Sequence, residues 1–198
     1  MSTVKALTLL GAVTGISLFA GIRLYATVLT VGLCLRYGLL TLPPELSSLA
    51  VLSHPHVLAV AGFLAAVEFL ADKVPWLDSL WDAIHAFVRP VGAALIAFAA
   101  VGHLDPAVEV AIVLLCGGVA FSSHAAKAGT RLLVNQCPEP FSNLLLSFIE
   151  DALSVGGSYF AVTHPLAALS LVVLFLALFA LLARRIVRRV RKQPSSQP

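Results

Sequence analysis

Charge is what this chain has least of. Only 12% of its 198 residues are Asp, Glu, Lys or Arg, against 59% hydrophobic, and that excludes an ordinary soluble domain. Cysteine is scarce as well. Cys34, Cys116 and Cys137 are odd in number and lack metal-ligand spacing, so neither a disulfide framework nor a cysteine metal centre is indicated. The spacings HExxH, GxxxxGK[ST], GxSxG and CxxC are all missing, which leaves no motif for zinc-peptidase, phosphate-loop, serine-hydrolase or thioredoxin-type chemistry. Thirteen Lys and Arg against ten Asp and Glu give a formal charge of +3. Six of those bases, Arg184, Arg185, Arg188, Arg189, Arg191 and Lys192, crowd the C-terminus, so the remaining body is mildly acidic. A basic cluster straight after an apolar run reads as a cytoplasmic topology anchor that attracts anionic lipid, and not as a nucleic-acid site.

What the chain has in quantity is apolar sequence, and it predicts an all-α polytopic transmembrane bundle of about six spans. Lys5 followed by LTLLGAVTGISLFAG resembles a signal peptide, but the apolar pattern continues through Arg23 to Leu40, so a retained first element is expected. Since one crossing takes about 20 residues, residues 6–40 are too long for a single straight helix. Gly11, Gly15, Gly21 and the lone Arg23 predict a kinked or broken element there. Pro43-Pro44 opens a short interfacial helix. Further spans are expected at Val57–Ala71, Trp76–Gly102 with a kink at Pro90, Ala107–Val134, Phe141–Val162 and Pro165–Leu182. Residues 1–183 then form the membrane domain and 184–198 a basic cytoplasmic tail with a disordered end. Six spans place the N-terminus in the cytoplasm too, whereas a re-entrant first element places it outside.

The polar residues are not scattered. In EFLADKVPWLDSLWDAIHAFVRPVG (68–92), Asp78, Asp82, His85 and Arg89 fall at i, i+4, i+7 and i+11, one face of a helix. His124, Lys127, Arg131 and Asn135 repeat the pattern further on. Asn143, Ser147, Glu150, Ser154 and Ser158 line a third face with Asp151 beside it, and Glu68 and Asp72 share a fourth. A charge near a bilayer centre costs on the order of 3 kcal/mol, so three or four left unpaired would cancel a typical stability of about 5–15 kcal/mol. The seams must therefore turn inward and meet. Asp82 with His85 or Arg89, and Glu68 or Asp72 with Lys127 or Arg131, are the expected pairs.

An internal repeat of helical hairpins is suggested by the same residues. Glu68–Pro75 lies over Arg131–Pro138, and after a two-residue insertion Asp82 falls on Ser147, His85 on Glu150, Arg89 on Ser154 and Gly92 on Gly157, an arrangement used by transporters. A competing match sets Ala20-Gly-Ile-Arg-Leu24 on Ala128-Gly-Thr-Arg-Leu132.

The run EFLADKVPWLDSLWDAIHAFVRPVGA, with HAAKAGTRLLVN and PEPFSN, resembles the bacterial membrane proteins grouped as domain-of-unknown-function family 4126. The resemblance reaches from the N-terminal span to about Leu182. It implies a multi-pass protein of the bacterial inner membrane and assigns no activity and no residue roles.

Taken together, the seams point to a transporter- or channel-like protein that moves a small ion or solute. Its pathway candidates are Glu68, Asp72, Asp78, Asp82, His85, Arg89, His124, Lys127, Arg131, Asn135, Asn143 and Glu150. Carboxylates there would bind a cation, His85 would titrate near neutrality, and the second seam would suit an anionic group or balance the first. Two other readings stand beside it: a non-catalytic scaffold or lipid-interacting protein locked by salt bridges, and an intramembrane enzyme acting on a lipid phosphate. No catalytic residue, cofactor or metal is expected. His54-Pro-His56 has the form of a metal pair without further ligands, Trp76 and Trp81 suit interface anchors, and Arg23 suits a contact with a lipid headgroup or a substrate, or snorkelling to an interface. Partners are the bilayer, anionic lipid at the basic tail and a second copy of the chain.

Overall fold

The structure, a computed structural model, describes residues 2–134 and 140–192. Its elements are Thr3–Ile22 (α1), Leu24–Arg36 (α2), a 3₁₀ helix at Pro44–Ser53, Pro55–Ala71 (α3), Pro75–Val101 (α4), Pro106–Val134 (α5), Pro140–Thr163 (α6) and Pro165–Lys192 (α7), with no strand among the described residues. Proline opens every element after α2. At a helix's first position its missing N–H is not needed and its φ is already helical, so the prolines punctuate the bundle. Pro90 lies inside α4 without ending it. Five helices are long and apolar enough to cross a membrane, or six if the 3₁₀ helix and α3, bent at 66°, count as one. The last helix does not stop at Leu182. It runs to Lys192, because Arg is a good helix former and no breaker intervenes.

The first apolar stretch is broken at Arg23, and its two halves fold back on each other. Lys5 at the start of α1 pairs with Glu45 at 2.8 Å, Arg36 at the end of α2 donates to the Ser53 carbonyl at 3.4 Å, and Gly32 packs on Leu52. Both outer ends thus meet the 3₁₀ helix, while Arg23, about 27 Å of helix away from Lys5, meets Asp72 at the end of α3. Helix α7 starts beside Gly11, where Pro165 and Leu169 pack, and runs parallel to α1 past Gly15 at Ala168. The chain's two ends therefore lie on opposite sides of the bundle. Of the two arrangements expected for the termini, this is the one a folded-back first element produces, because α1 and α2 together return to the face they left.

Helix α1 is the hub, packed by α4, α5, α6 and α7. Gly11 and Gly15 allow this: a Cβ on Gly15 would stand 2.8 Å from that of Ala161, the close backbone approach that small residues one turn apart permit. Gly92 on α4 and Gly157 on α6, equivalent in the proposed repeat, are seated alike, receiving Leu24 and Phe19 from either side of the break. The distribution of polarity is that of a membrane protein. Phe63, Phe87, Leu95, Leu114, Phe148 and Leu178 point outward, whereas Arg23, Arg89, Arg131 and Glu68 are among the largest fully buried side chains. A soluble protein does the reverse; this chain is a multi-pass integral membrane protein.

Candidate functional site

Arg23 ends up at the centre because the backbone breaks there. Its own φ and ψ, −144° and 97°, are extended. The break still satisfies its backbone, since the Arg23 N–H donates to Phe19 O at 2.9 Å and its carbonyl accepts from Thr27 N–H at 3.1 Å. Freed from the helix surface, the side chain reaches the end of α3 and one face of α6. Nη2 pairs with the Asp72 carboxylate and donates to Ser147 Oγ at 3.0 Å, while Nε lies 2.9 Å from Asp151 Oδ1. Lys73 closes the same end, donating to Ser147 Oγ at 2.7 Å with its ammonium over the rings of Phe69 and Phe148. Burial and the neighbouring Arg23 and Arg131 guanidinium groups lower the Lys73 pKa from its usual 10.5 against the opposing pull of Asp151 and Asp72, burial being the largest influence.

Helix α5 supplies two further cations. Arg131 grips Glu150 in a two-pronged bond, Nε to Oε1 at 3.0 Å and Nη2 to Oε2 at 2.6 Å, the strong guanidinium–carboxylate geometry. Its Nη1 donates to Asn143 Oδ1 at 2.7 Å, and Asp78 and Asp72 lie 3.5 Å from Nη1 and Nη2. One turn earlier, Lys127 Nζ stands between Asp82 at 3.4 Å and Glu150 at 3.5 Å without a hydrogen bond of its own. Arg89 on α4 completes the network, with Glu68 at 2.6 Å, Asp82 at 2.9 Å and His124 Nδ1 at 2.6 Å. A guanidinium N–H facing Nδ1 requires that nitrogen to accept, so His124 carries its proton on Nε2. His85 is tied to Trp81 O at 2.8 Å and Tyr25 Oη at 3.1 Å, and its ring stacks on Trp81.

The network opens into two cavities on opposite sides of α5. One, of about 220 Å³, is a groove between α4 and α5 lined by Asp78, Ser79, Asp82, His124 and Arg131 among small apolar residues. The other, of about 320 Å³, has apolar walls from α1, α5, α6 and α7, with Lys127 and Glu150 at its inner end. A third, about 430 Å³ and apolar, lies between α2, α3 and α4.

Residues 10–185 match the family model of the domain of unknown function DUF4126. The chain belongs to that family. No curated protein and no solved structure matches it.

In this DUF4126 chain the structure brings together Glu68, Asp72, Asp78, Asp82, Arg89, His124, Lys127, Arg131, Asn143 and Glu150. His85 borders them through Tyr25, and Asn135 lies outside the described residues. Asp82 takes Arg89 as its partner and Asp72 takes Arg131, two of the expected pairings. Glu68 instead binds Arg89, since the short α3–α4 turn folds residue 68 back onto residue 89. Arg23, expected at a headgroup, a substrate or an interface, is 1% exposed and joins Asp72, Asp151 and Ser147. Lys73 and Tyr25 were also not singled out. The legible signal for Arg23 was a charge inside an apolar run too long for one crossing. Trp81 packs on His85, whereas Trp76 is exposed as an interface anchor would be. His54 and His56 contact each other, and no group of three metal-ligating side chains exists among the described residues.

Proposed function

We propose that this protein is a transporter- or channel-like component of the bacterial inner membrane that moves a small ion or solute past the buried ion network. The observation that carries this reading is Lys127. Its ammonium lies between a carboxylate of the α4–α5 groove and a carboxylate of the larger cavity, holding both at salt-bridge distance while fully bonded to neither. A cation so placed between two openings is a gate: releasing either carboxylate connects one cavity to the network and closes the other. A broken helix beside the site is the second support, because half-helix ends present backbone groups to a passing ion. The basic end of α7, through Lys192, faces the cytoplasm with anionic lipid as its contact, residues 193–198 lying outside the described residues, and a second copy of the chain completes the assembly.

Electrogenic current or solute flux in proteoliposomes tests the reading, with Asp82→Asn and Lys127→Gln as variants. Flux present in wild type and lost in both folded variants supports it. Flux unchanged in either folded variant removes the gate.

One observation favours a second reading, in which the protein handles lipid. The 320 Å³ cavity has the apolar walls and charged inner end that an amphiphile with a single acyl chain would fit. Co-purified lipid displaced by bulky replacement of Ala126, with no current under any condition, would favour it. The enzyme reading has less support, since His85 and His124 are both held by neighbours.

A further inference from the structure

Five carboxylates face four permanent cations inside the network. Glu68, Asp72, Asp78, Asp82 and Glu150 are buried with Arg23, Arg89, Lys127 and Arg131, and Asp151, 27% exposed and paired with Arg23, and Lys73 add one charge of each sign at the rim, which leaves the difference unchanged. Neither histidine supplies the missing charge. His124 accepts from Arg89, and His85 donates from Nδ1 to Trp81 O and can accept the Tyr25 hydroxyl at Nε2, forming no ion pair with any described carboxylate. An uncompensated anion at this depth is costly, so the network must take up one more positive charge. No described group gathers three His, Cys, Asp or Glu ligands for a metal ion, whereas a proton supplies the charge with no ligand set.

The five acids are not equally compensated. Glu150 has a two-pronged bond to Arg131, Glu68 has Arg89 at 2.6 Å, and Asp82 has Arg89 at 2.9 Å together with Lys127. Asp72 has Arg23 as well as Arg131. Asp78 has a single cation, Arg131 at 3.5 Å, and its Oδ1 is buried with no hydrogen-bond partner. Glu68 and Asp72 also have one unpartnered buried oxygen each, but Glu68 has its cation at 2.6 Å, whereas the Asp72 and Asp78 carboxyl groups both lie 3.5 Å from the same guanidinium. Asp78 further lines the α4–α5 groove, which gives a proton a route in and out.

We propose that Asp78, paired with Asp72 on Arg131, is a proton-binding site of this protein and that the proton is its coupling ion. Loading takes one proton from water in the groove onto a carboxylate oxygen; unloading returns it to water and leaves the network one negative charge in excess. The charged groups facing Asp78 are Arg131 from α5, Asp72 from the α3–α4 turn and Asp82 on its own helix. The coupling role rests on the transport reading, but the proton site does not.

Infrared spectroscopy of the full chain in lipid separates the two. Wild type near neutral pH is expected to show the carbonyl band of a buried protonated carboxylic acid. The band should shift on deuteration, vanish on alkalinisation, disappear in Asp78→Asn, and persist in His85→Gln and Asp78→Glu. Absence of the band in wild type overturns the proposal, and this measurement does not depend on any variant folding. Persistence of the band in folded Asp78→Asn with loss in Glu68→Gln overturns it equally. A band with the expected behaviour and no flux under a pH gradient would sink the transport reading and leave the proton site standing.

Discussion

Replacing Arg23 by Met keeps the apolar stem of the side chain and removes only the guanidinium, so its consequences follow from the contacts already described. Asp151 is 27% exposed and can turn towards water. Ser147 keeps Lys73 as a donor. Asp72 cannot adjust: it is fully buried and would retain only Arg131 at 3.5 Å. The expected loss is therefore that of one stranded buried carboxylate, about 3–5 kcal/mol, a large part of a typical stability of about 5–15 kcal/mol. For a chain of this size about 1 kcal/mol corresponds to about 2–4 °C, so Arg23→Met should melt about 6–20 °C lower. Trp76 and Trp81 provide the fluorescence signal in detergent. Adding Asp72→Asn removes the stranded charge with its partner and should recover more than half of the loss, a coupling that contacting residues show and distant ones do not. A shift under about 2 °C in Arg23→Met, or a double variant as damaged as the sum of the singles, would refute the view that Arg23 holds the break in place.

Gly157→Ala is expected to lower the melting temperature by about 2–12 °C, since the new methyl group meets the Phe19 ring and overpacking typically costs about 1–3 kcal/mol; Gly118→Ala, where a methyl group would meet nothing within 4 Å, should cause no such loss, and equal effects would contradict the packing. Lys73 makes a prediction about pH. Its pKa is lower in the folded chain than its usual 10.5, so between the two values the unfolded chain binds more protons and stability rises with pH. The rise should appear as pH approaches 10.5 and should be absent from the difference between wild type and Lys73→Met if burial of Lys73 is not its source.

Helix positions were legible because they depend on near neighbours in sequence. Pro44, Pro55, Pro75, Pro106, Pro140 and Pro165 each open an element, and the seams of α4 and α5 repeat with helical period, so both are written in short windows. Pairing was only partly legible. That Asp82 meets Arg89 follows from two turns of one helix, but that Glu68 takes Arg89 while Asp72 takes Arg131 depends on how α3 is joined to α4 and where α5 lies. Arg23 was missed for the same reason carried further: it belongs to no seam, and its partners sit on elements far along the chain. The fold-back of α1 and α2 likewise leaves no periodic trace, because a straight and a re-entrant apolar stretch have the same composition.

The break at Arg23 also sets a problem in time. Ser147, one of its partners, is 124 residues further along the chain, and at about 5–20 residues per second synthesis needs about 6–25 s to reach it. Throughout that interval the α1–α2 hairpin exists with a charged tip and without α6, so it must wait beside the insertion machinery or near a headgroup layer before it can sink into place. The first helices made are thus the last to be locked, and a ribosome stalled before α6 should leave Arg23 open to a water-borne reagent that the finished protein shuts out.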